Sequence, residues 1–312
     1  MEFSKTEEKG AAGCRLCPRE CGAKRRDGQK GACHTDDQIK IARAALHMWE
    51  EPCISGEEGS GAVFFSGCSL GCIYCQNREI SNGREGLVIS KERLSDIFLE
   101  LQESGANNIN LVTAGHYILP VCEALKDAKK RGLEIPIVYN SSGYEKKEAV
   151  KMLEGLVDIY LPDLKYLDHE LAGRYSNAAD YPDYAKAAIA EMVRQQPCPA
   201  FDSRGKMRRG VIVRHLLLPG HVKEAKRVVS YLYETYGDQI YISMMNQYTP
   251  MLPEKSDPLL NRTVTKREYQ RLLDYAAEIG VTNGFYQEGG TAKESFIPAF
   301  NYEGVLPKKE TC

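Results

Sequence analysis

An alternation of two kinds of segment constrains this chain first. AVFFS (62–66), INLVT (109–113), IPIVY (135–139), VDIYL (157–161), VIVRHLLL (211–218) and QIYISM (239–244) are short apolar runs rich in β-branched and aromatic residues. Such runs, bounded by turn residues, are the pattern of buried strands. Each is followed by a stretch with helical spacing, over 90–104 and near 117–131, 145–154, 183–195, 221–235 and 266–279. In the first, Leu94, Ile97, Phe98 and Leu101 fall at i, i+3, i+4 and i+7, and in the last Tyr269, Leu272, Leu273 and Ala276 share one face. A short seventh strand is expected at GFYQ (284–287). Six strand–helix units in series predict an α/β fold, a parallel sheet with helices outside it. The right-handed crossover rule curls that sheet into an open sheet or a barrel.

In such barrels chemistry gathers where strands end. The strand ends here carry Ser66 to Cys75, then Thr113-Ala114-Gly115-His116, then Asn140-Ser141-Ser142-Gly143, then Asp163 and Lys165, and finally Asn246 and Gln247. Polar and thiol groups recur at the expected mouth, while the runs behind them are apolar. The first end is the most specific. GCSLGCIYCQN (67–77) places Cys68, Cys72 and Cys75 in one loop, with glycines ahead of the first two. A structural zinc site takes four ligands, usually from two CxxC-type pairs. A [4Fe–4S] cluster takes one thiolate per iron, so three cysteines leave one iron open to a substrate or cofactor. The competing reading is zinc, or a closed cluster, completed by a distant cysteine. Placement at a barrel mouth favours the open cluster.

Cys68-x-x-x-Cys72-x-x-Cys75 after a strand, with Tyr74 just before the third cysteine, resembles the radical S-adenosylmethionine (SAM) superfamily. GSGAVFFSGCSLGCIYCQNREIS, NINLVTAGH, VDIYLPDLKY and VIVRHLLLPGH resemble the branch that activates glycyl radical enzymes, in particular relatives of pyruvate formate-lyase activating enzyme. The likeness runs from about Cys14 to about Phe300. It implies a partial (β/α)6 radical SAM barrel over 51–312, with a cysteine-rich metal knuckle over 1–50 ahead of it.

The resemblance also implies a mechanism. Cys68, Cys72 and Cys75 hold a [4Fe–4S] cluster, and the amino and carboxylate groups of SAM chelate its open iron. An electron, from a reduced flavodoxin or a ferredoxin-type donor, breaks the sulfonium bond to give methionine and a 5′-deoxyadenosyl radical, which abstracts hydrogen from the substrate. Tyr74 would pack by the adenine. Where relatives carry a Gly-Gly-Glu-like segment for the SAM amino group, this chain departs and reads Thr113-Ala114-Gly115-His116, so that Thr113 and His116 take the polar role there or the amino group is held differently. Asn140, Ser141 and Ser142 would meet the carboxylate or ribose. Lys165 would pair with the carboxylate, Asp163 would orient it, and Arg214 matches an activase arginine. The alternative for Lys165 and Arg214 is a structural ion pair across the mouth.

CRLCPRECGAKRRDGQKGAC (14–33) supplies Cys14, Cys17, Cys21 and Cys33. Four thiols so close suffice for a closed metal site, with zinc or an auxiliary iron–sulfur cluster as occupant. The other four of the eleven cysteines, Cys53, Cys122, Cys198 and Cys312, are read as small hydrophobes. His47, Glu50 and Glu51, between the clusters, could face the site but are read as solvated hairpin residues. GEEGSG (56–61) reads as a turn. The basic run RGKMRRG (204–210) is either a dock for an acidic electron donor or a solvated charge run, and the second is preferred.

A formal net charge of −2 offers no bulk attraction to nucleic acid or anionic membrane. No run approaches the length of a membrane span, and the polar MEFSKTEEKG lacks a signal-peptide core, so a cytoplasmic protein is expected. Two rivals to glycyl radical activation stay open. One is a radical SAM enzyme for a small metabolite or peptide. The other is a non-catalytic iron–sulfur electron carrier, which would not consume SAM.

Overall fold

A computed structural model describes residues 13–251, 257–287 and 298–307. Its strands are β1 (Lys40–His47), β2 (Ser60–Phe65), β3 (Leu87–Val88), β4 (Ile109–Val112), β5 (Ile137–Ser141), β6 (Ile159–Pro162), β7 (Ala200–Phe201), β8 (Met207–Leu216), β9 (Tyr241–Met245) and β10 (Gly284–Tyr286). The main sheet runs β10-β9-β8-β6-β5-β4-β2-β1-β3, and β7 pairs with β8. From β2 through β10 along that order every neighbouring pair is parallel. The sheet does not close, since β3 and β10 stand at opposite ends of it. The chain is thus an open, partial α/β barrel with a cysteine-rich N-terminal segment.

Every residue of β2, β4, β5 and β6 is buried. That is why these strands read as continuous apolar runs rather than alternating ones. The helices between them match the expected periodicity. Helix Lys91–Glu103 begins where the Ser90 side chain accepts from the Arg93 amide, and it buries Leu94, Ile97, Phe98 and Leu101. Each such side chain contributes about 1.5–3 kcal/mol by leaving water. Helix Lys266–Glu278 opens on a reciprocal capping box between Thr265 and Glu268.

Three features lie outside the expectation. Residues 40–47, assigned from sequence to the cysteine-rich segment, form β1, antiparallel to β2. Its alanine-rich IARAALH favours helix by local propensity, and pairing with the buried β2 overrides that preference. Helix His169–Ser176, capped by Asp168, fills the interval between β6 and the helix Tyr181–Gln195. Finally, the basic run forms the β7–β8 hairpin, with Arg208 and Arg209 exposed at the start of β8. Cys53 and Cys122 are buried as expected of small hydrophobes, Cys198 is exposed, and Cys312 lies outside the described residues.

Candidate active site

The C-terminal ends of β2, β4, β5, β6, β8 and β9 converge on one cavity of about 210 Å³. That convergence shows that the open sheet curves around its own mouth. Cys68, Cys72 and Cys75 line one wall, together with Tyr74. Thr113, Asn140, Ser142, Asp163, Lys165 and Arg214 line the rest. Of the barrel residues assigned from sequence to the cluster or to SAM, all but His116 line this one cavity.

The three-cysteine loop leaves β2 through Gly67, at φ +90°, and turns again at Gly71, at φ +73°. Both lie in backbone conformations that favour glycine. The Cys68 sulfur accepts from the Leu70 amide at 3.4 Å, and the Cys72 sulfur from the Ser176 hydroxyl at 3.0 Å. Burial, then the neighbouring Cys75 and Cys72, pushes the Cys68 thiol up to about 12. Burial and Cys72 push Cys75 up as well. Thiols that oppose one another's ionisation this way suit a cationic iron–sulfur centre, which holds them as thiolates. Among the described residues, no three Cys, His, Asp or Glu side chains already converge as a finished ligand set. The donor chemistry and shared wall fit a cluster, and the final turn of the thiols would accompany its binding.

Tyr74 is buried beside the loop, and its hydroxyl meets Tyr166, whose own hydroxyl is 3.1 Å from Ser176 Oγ. A hydrogen-bonded row thus runs from Tyr74 through Tyr166 and Ser176 to the Cys72 sulfur. Gln76 Nε2 donates to the Gln247 carbonyl at 2.7 Å and ties the loop to the end of β9.

Opposite the cysteines is a charged lattice. Arg214 on β8 donates from Nε to Asp163 Oδ1 at 3.1 Å, from Nη1 to Glu50 Oε2 at 3.1 Å, and from Nη2 to Asn140 Oδ1 at 2.6 Å. Lys165 Nζ donates to Asp163 Oδ2 at 2.6 Å. Burial pushes Asp163 up, but the adjacent Lys165 and Arg214 outweigh it and hold the carboxyl below its usual range. Burial also works against Lys165, yet Asp163 and Cys72 raise its affinity for the proton. Lys165 and Arg214 are therefore paired with acids already, as the ion-pair alternative had it, and both still face the cavity.

Glu50, read from sequence as a solvated hairpin residue, instead lines the cavity. Its Oε1 accepts from Asn110 Nδ2 at 2.9 Å and from Asn140 Nδ2 at 3.3 Å, while Oε2 takes Arg214. His47, Trp49 and Glu50 all line the cavity. Glu51 is buried, with its Oε2 unpartnered, and burial raises its carboxyl despite Arg214 nearby. The reading of His47, Glu50 and Glu51 as solvated hairpin residues is thus corrected. β1 carries the segment inward, and recognising that strand was the signal required.

His116 lies behind the wall. It is buried, and its Nε2 is 2.7 Å from the Ser66 carbonyl. A carbonyl only accepts, so Nε2 bears the proton. Burial lowers the ring to about 4.

The N-terminal cysteines gather too. Burial pushes the Cys17 thiol up to about 11, helped by Glu145, Cys33 and Cys14. A Cβ on Gly31 would lie 3.1 Å from the Cys21 sulfur and 3.5 Å from that of Cys33. Cys21 and Cys33 thus flank Gly31, and Cys14 and Cys33 lie near Cys17, but among the described residues no three of these thiols converge as a finished ligand set.

Residues 62–230 match the model of the Radical SAM superfamily. The chain belongs to that superfamily. The matched span holds all three cysteines of the loop and every cavity residue named above except those of the His47–Glu50 segment and Gln247. Membership implies a [4Fe–4S] cluster and SAM. The chain is also 26% identical to an uncharacterized protein of Methanocaldococcus jannaschii, over 84% of this chain and 74% of that one. It is similar to a solved domain of pyruvate-formate lyase-activating enzyme from Bacteroides vulgatus at 14% identity, covering 54% of this chain and 89% of that one, TM-score 0.39. It is similar to Streptococcus suis SuiB bound to the precursor peptide SuiA at 14% identity, covering 71% and 46%, TM-score 0.49. No helix among the described residues is long and apolar enough to cross a membrane.

Proposed function

We propose that this radical SAM enzyme installs a glycyl radical on a protein partner, as an activase of the pyruvate formate-lyase activating type. When bound at Cys68, Cys72 and Cys75, the cluster with SAM supplies a 5′-deoxyadenosyl radical. The observation that carries the reading is the Asp163–Lys165–Arg214 lattice facing the three cysteines across one open cavity. Those residues stand in the segments DLK (163–165) and VIVRHLLLPGH (211–221) that resemble the activase branch.

The chain's own residues divide the work. Lys165 and Arg214 offer cationic N–H groups to the SAM carboxylate, and Asp163 orients both. Tyr74 backs the adenine, with Asn140, Ser142 and Thr113 on the ribose side. Arg214 is held by three acceptors from three different elements, so it meets a ligand without reorganising. The buried wall around the thiols excludes water from the reacting centre. A reduced flavodoxin or ferredoxin-type protein would supply the electron. The basic hairpin is a poor dock for it, because β8 runs ten residues, on the order of 30 Å, from that hairpin to the mouth. At Cys14, Cys17, Cys21 and Cys33 we place zinc or a second iron–sulfur cluster. A second reading, a small metabolite or peptide substrate, draws on the His47, Trp49 and Glu50 wall, which narrows the mouth from the β1 side.

The test is 5′-deoxyadenosine formation by anaerobically reconstituted protein with SAM and a strong reductant, with Cys72→Ala as control. Host lysate is added as separate macromolecular and small-molecule fractions. Stimulation by the first, with a glycyl radical signal in the partner, is expected. Stimulation only by the second favours the small-substrate reading. No deoxyadenosine from cluster-loaded protein sinks the assignment and leaves an electron carrier.

A further inference from the structure

Arg19 lies midway between Cys17 and Cys21 in the N-terminal knuckle, and no sequence motif singles it out. Its guanidinium leaves the knuckle and enters a cage of backbone carbonyls. Nε donates to Ser69 O at 2.8 Å, and Nη2 to Leu70 O at 2.8 Å and Ser176 O at 3.2 Å. Nη1 donates to Asn177 O. The plane also sits 5.2 Å from the centre of the Tyr144 ring.

The acceptors decide what this contact does. Ser69 and Leu70 are two of the three residues between Cys68 and Cys72. Ser176 is the residue whose hydroxyl donates to the Cys72 sulfur, and Asn177 ends that helix in the left-handed conformation at φ +48°. One planar fork therefore binds the knuckle, the three-cysteine loop and the helix end that hydrogen-bonds a cysteine sulfur. Four neutral carbonyls offer no counter-charge, so the fork acts by fixing directions in space. Carbonyls turned toward Arg19 at Ser69 and at Leu70 fix the two central peptide planes of the four between Cys68 and Cys72, and so restrict the separation of the two thiols.

We propose that Arg19 is the positioning residue of the three-cysteine loop, setting the geometry in which Cys68 and Cys72 ligate the cluster. The N-terminal knuckle is thereby a structural part of the active site. This rests on the radical SAM reading of that loop. Arg19 acts through the backbone that carries Cys68 and Cys72, not as a ligand.

The test compares Arg19→Ala and Arg19→Lys with wild type after anaerobic reconstitution of the full chain. Lys146→Ala is the control, since it breaks a different knuckle contact, with Glu20 and the Arg15 carbonyl, and leaves the loop alone. Three readouts are taken: iron per chain, the rate of iron loss to a chelator, and the paramagnetic resonance spectrum of the reduced cluster with SAM. In Arg19→Ala, iron is expected to leave about 10- to 100-fold faster, as when other outer partners of metal ligands are removed. Its spectrum should shift as well. Arg19→Lys, which keeps the charge and loses the fork, should fall between the two, and Lys146→Ala should match wild type. Arg19→Ala and Arg19→Lys with wild-type iron loss and spectrum would overturn the proposal. So would equal effects from Arg19→Ala and Lys146→Ala, the mark of general destabilisation. If Arg19→Ala does not fold, Arg19→Lys decides by the same criteria. Wild-type protein that takes up no cluster would instead overturn the cluster reading itself, so the two failures are distinct.

Discussion

The backbone amide of Cys68 donates to the carbonyl of Cys33 across 3.2 Å. The first cysteine of the barrel loop and the last cysteine of the knuckle are thus joined directly, main chain to main chain. The approach is possible because Gly67 has no side chain. A Cβ there would stand 2.6 Å from the Cys33 carbonyl oxygen and 2.6 Å from Thr35 Cγ2, and the residue is at φ +90°. Gly67→Ala should therefore push the knuckle off the loop. The expected cost is about 2–4 kcal/mol, from overpacking and an unfavourable backbone together. Denaturant unfolding measures it, and an unchanged midpoint would show that the two segments are not packed as described.

Arg214 answers two carboxylates and an amide at once, and its removal leaves Asp163 and Glu50 buried with less countercharge. Arg214→Ala should destabilise the protein by about 3–5 kcal/mol near neutral pH. Arg214→Lys should recover only part of this, because one ammonium cannot reach acceptors in three directions. The Asp163 contribution has a definite sign. Its folded-state carboxyl is held below the ordinary value of 3.8, so the stabilisation is present above that pH and is lost as pH falls further. The stability gap between wild type and Arg214→Ala should shrink in acid. A gap constant down to strongly acid pH would contradict the pairing.

Much of this site was legible beforehand because two independent patterns pointed to it. Buried parallel strands advertise themselves as unbroken apolar runs, and the polar residues that end them, such as Asn140, Asp163 and Arg214, mark one rim. Glu50 was not legible. It is brought in by β1, whose alanines give no strand signal and whose position depends on pairing with β2 across residues 48–59. Arg19 was hidden for a different reason. Its partners are main-chain carbonyls at Ser69, Leu70, Ser176 and Asn177, and a carbonyl cage leaves no trace in residue types. His116 was misleading in the opposite sense, since a histidine at a strand end looks like a ligand until its partner, the Ser66 carbonyl, is seen.

Thr113 sits on the cavity wall with φ +62°, a conformation a β-branched residue seldom adopts. Strain of about 1–2 kcal/mol is the ordinary consequence. Thr113→Gly relieves it and pays a smaller entropic penalty, for a net gain of about 0.5–1 kcal/mol. Thr113→Asn, which tolerates this backbone, should be near neutral. If Thr113 also contacts SAM, the glycine variant will be more stable yet show a raised KM for SAM. A destabilised Thr113→Gly would mean that side-chain contacts outweigh the strain.

His116 gives the clearest pH signature. Its ring is buried, burial lowers its proton affinity most, and Arg25 lowers it further, so that it titrates near 4 rather than 6.5. Between those values the unfolded chain takes up a proton and the folded one does not. Stability from this group is therefore complete above about 6.5 and is lost as pH falls toward 4, a total of about 3 kcal/mol. His116→Gln cannot titrate, and its side-chain amide still donates toward the Ser66 carbonyl. The variant should lose some stability at pH 8 yet show a flatter decline between pH 6.5 and 4 than wild type. Equilibrium unfolding across that range reads the slope directly, and parallel curves for the two proteins would mean that the ring is not held neutral by the fold.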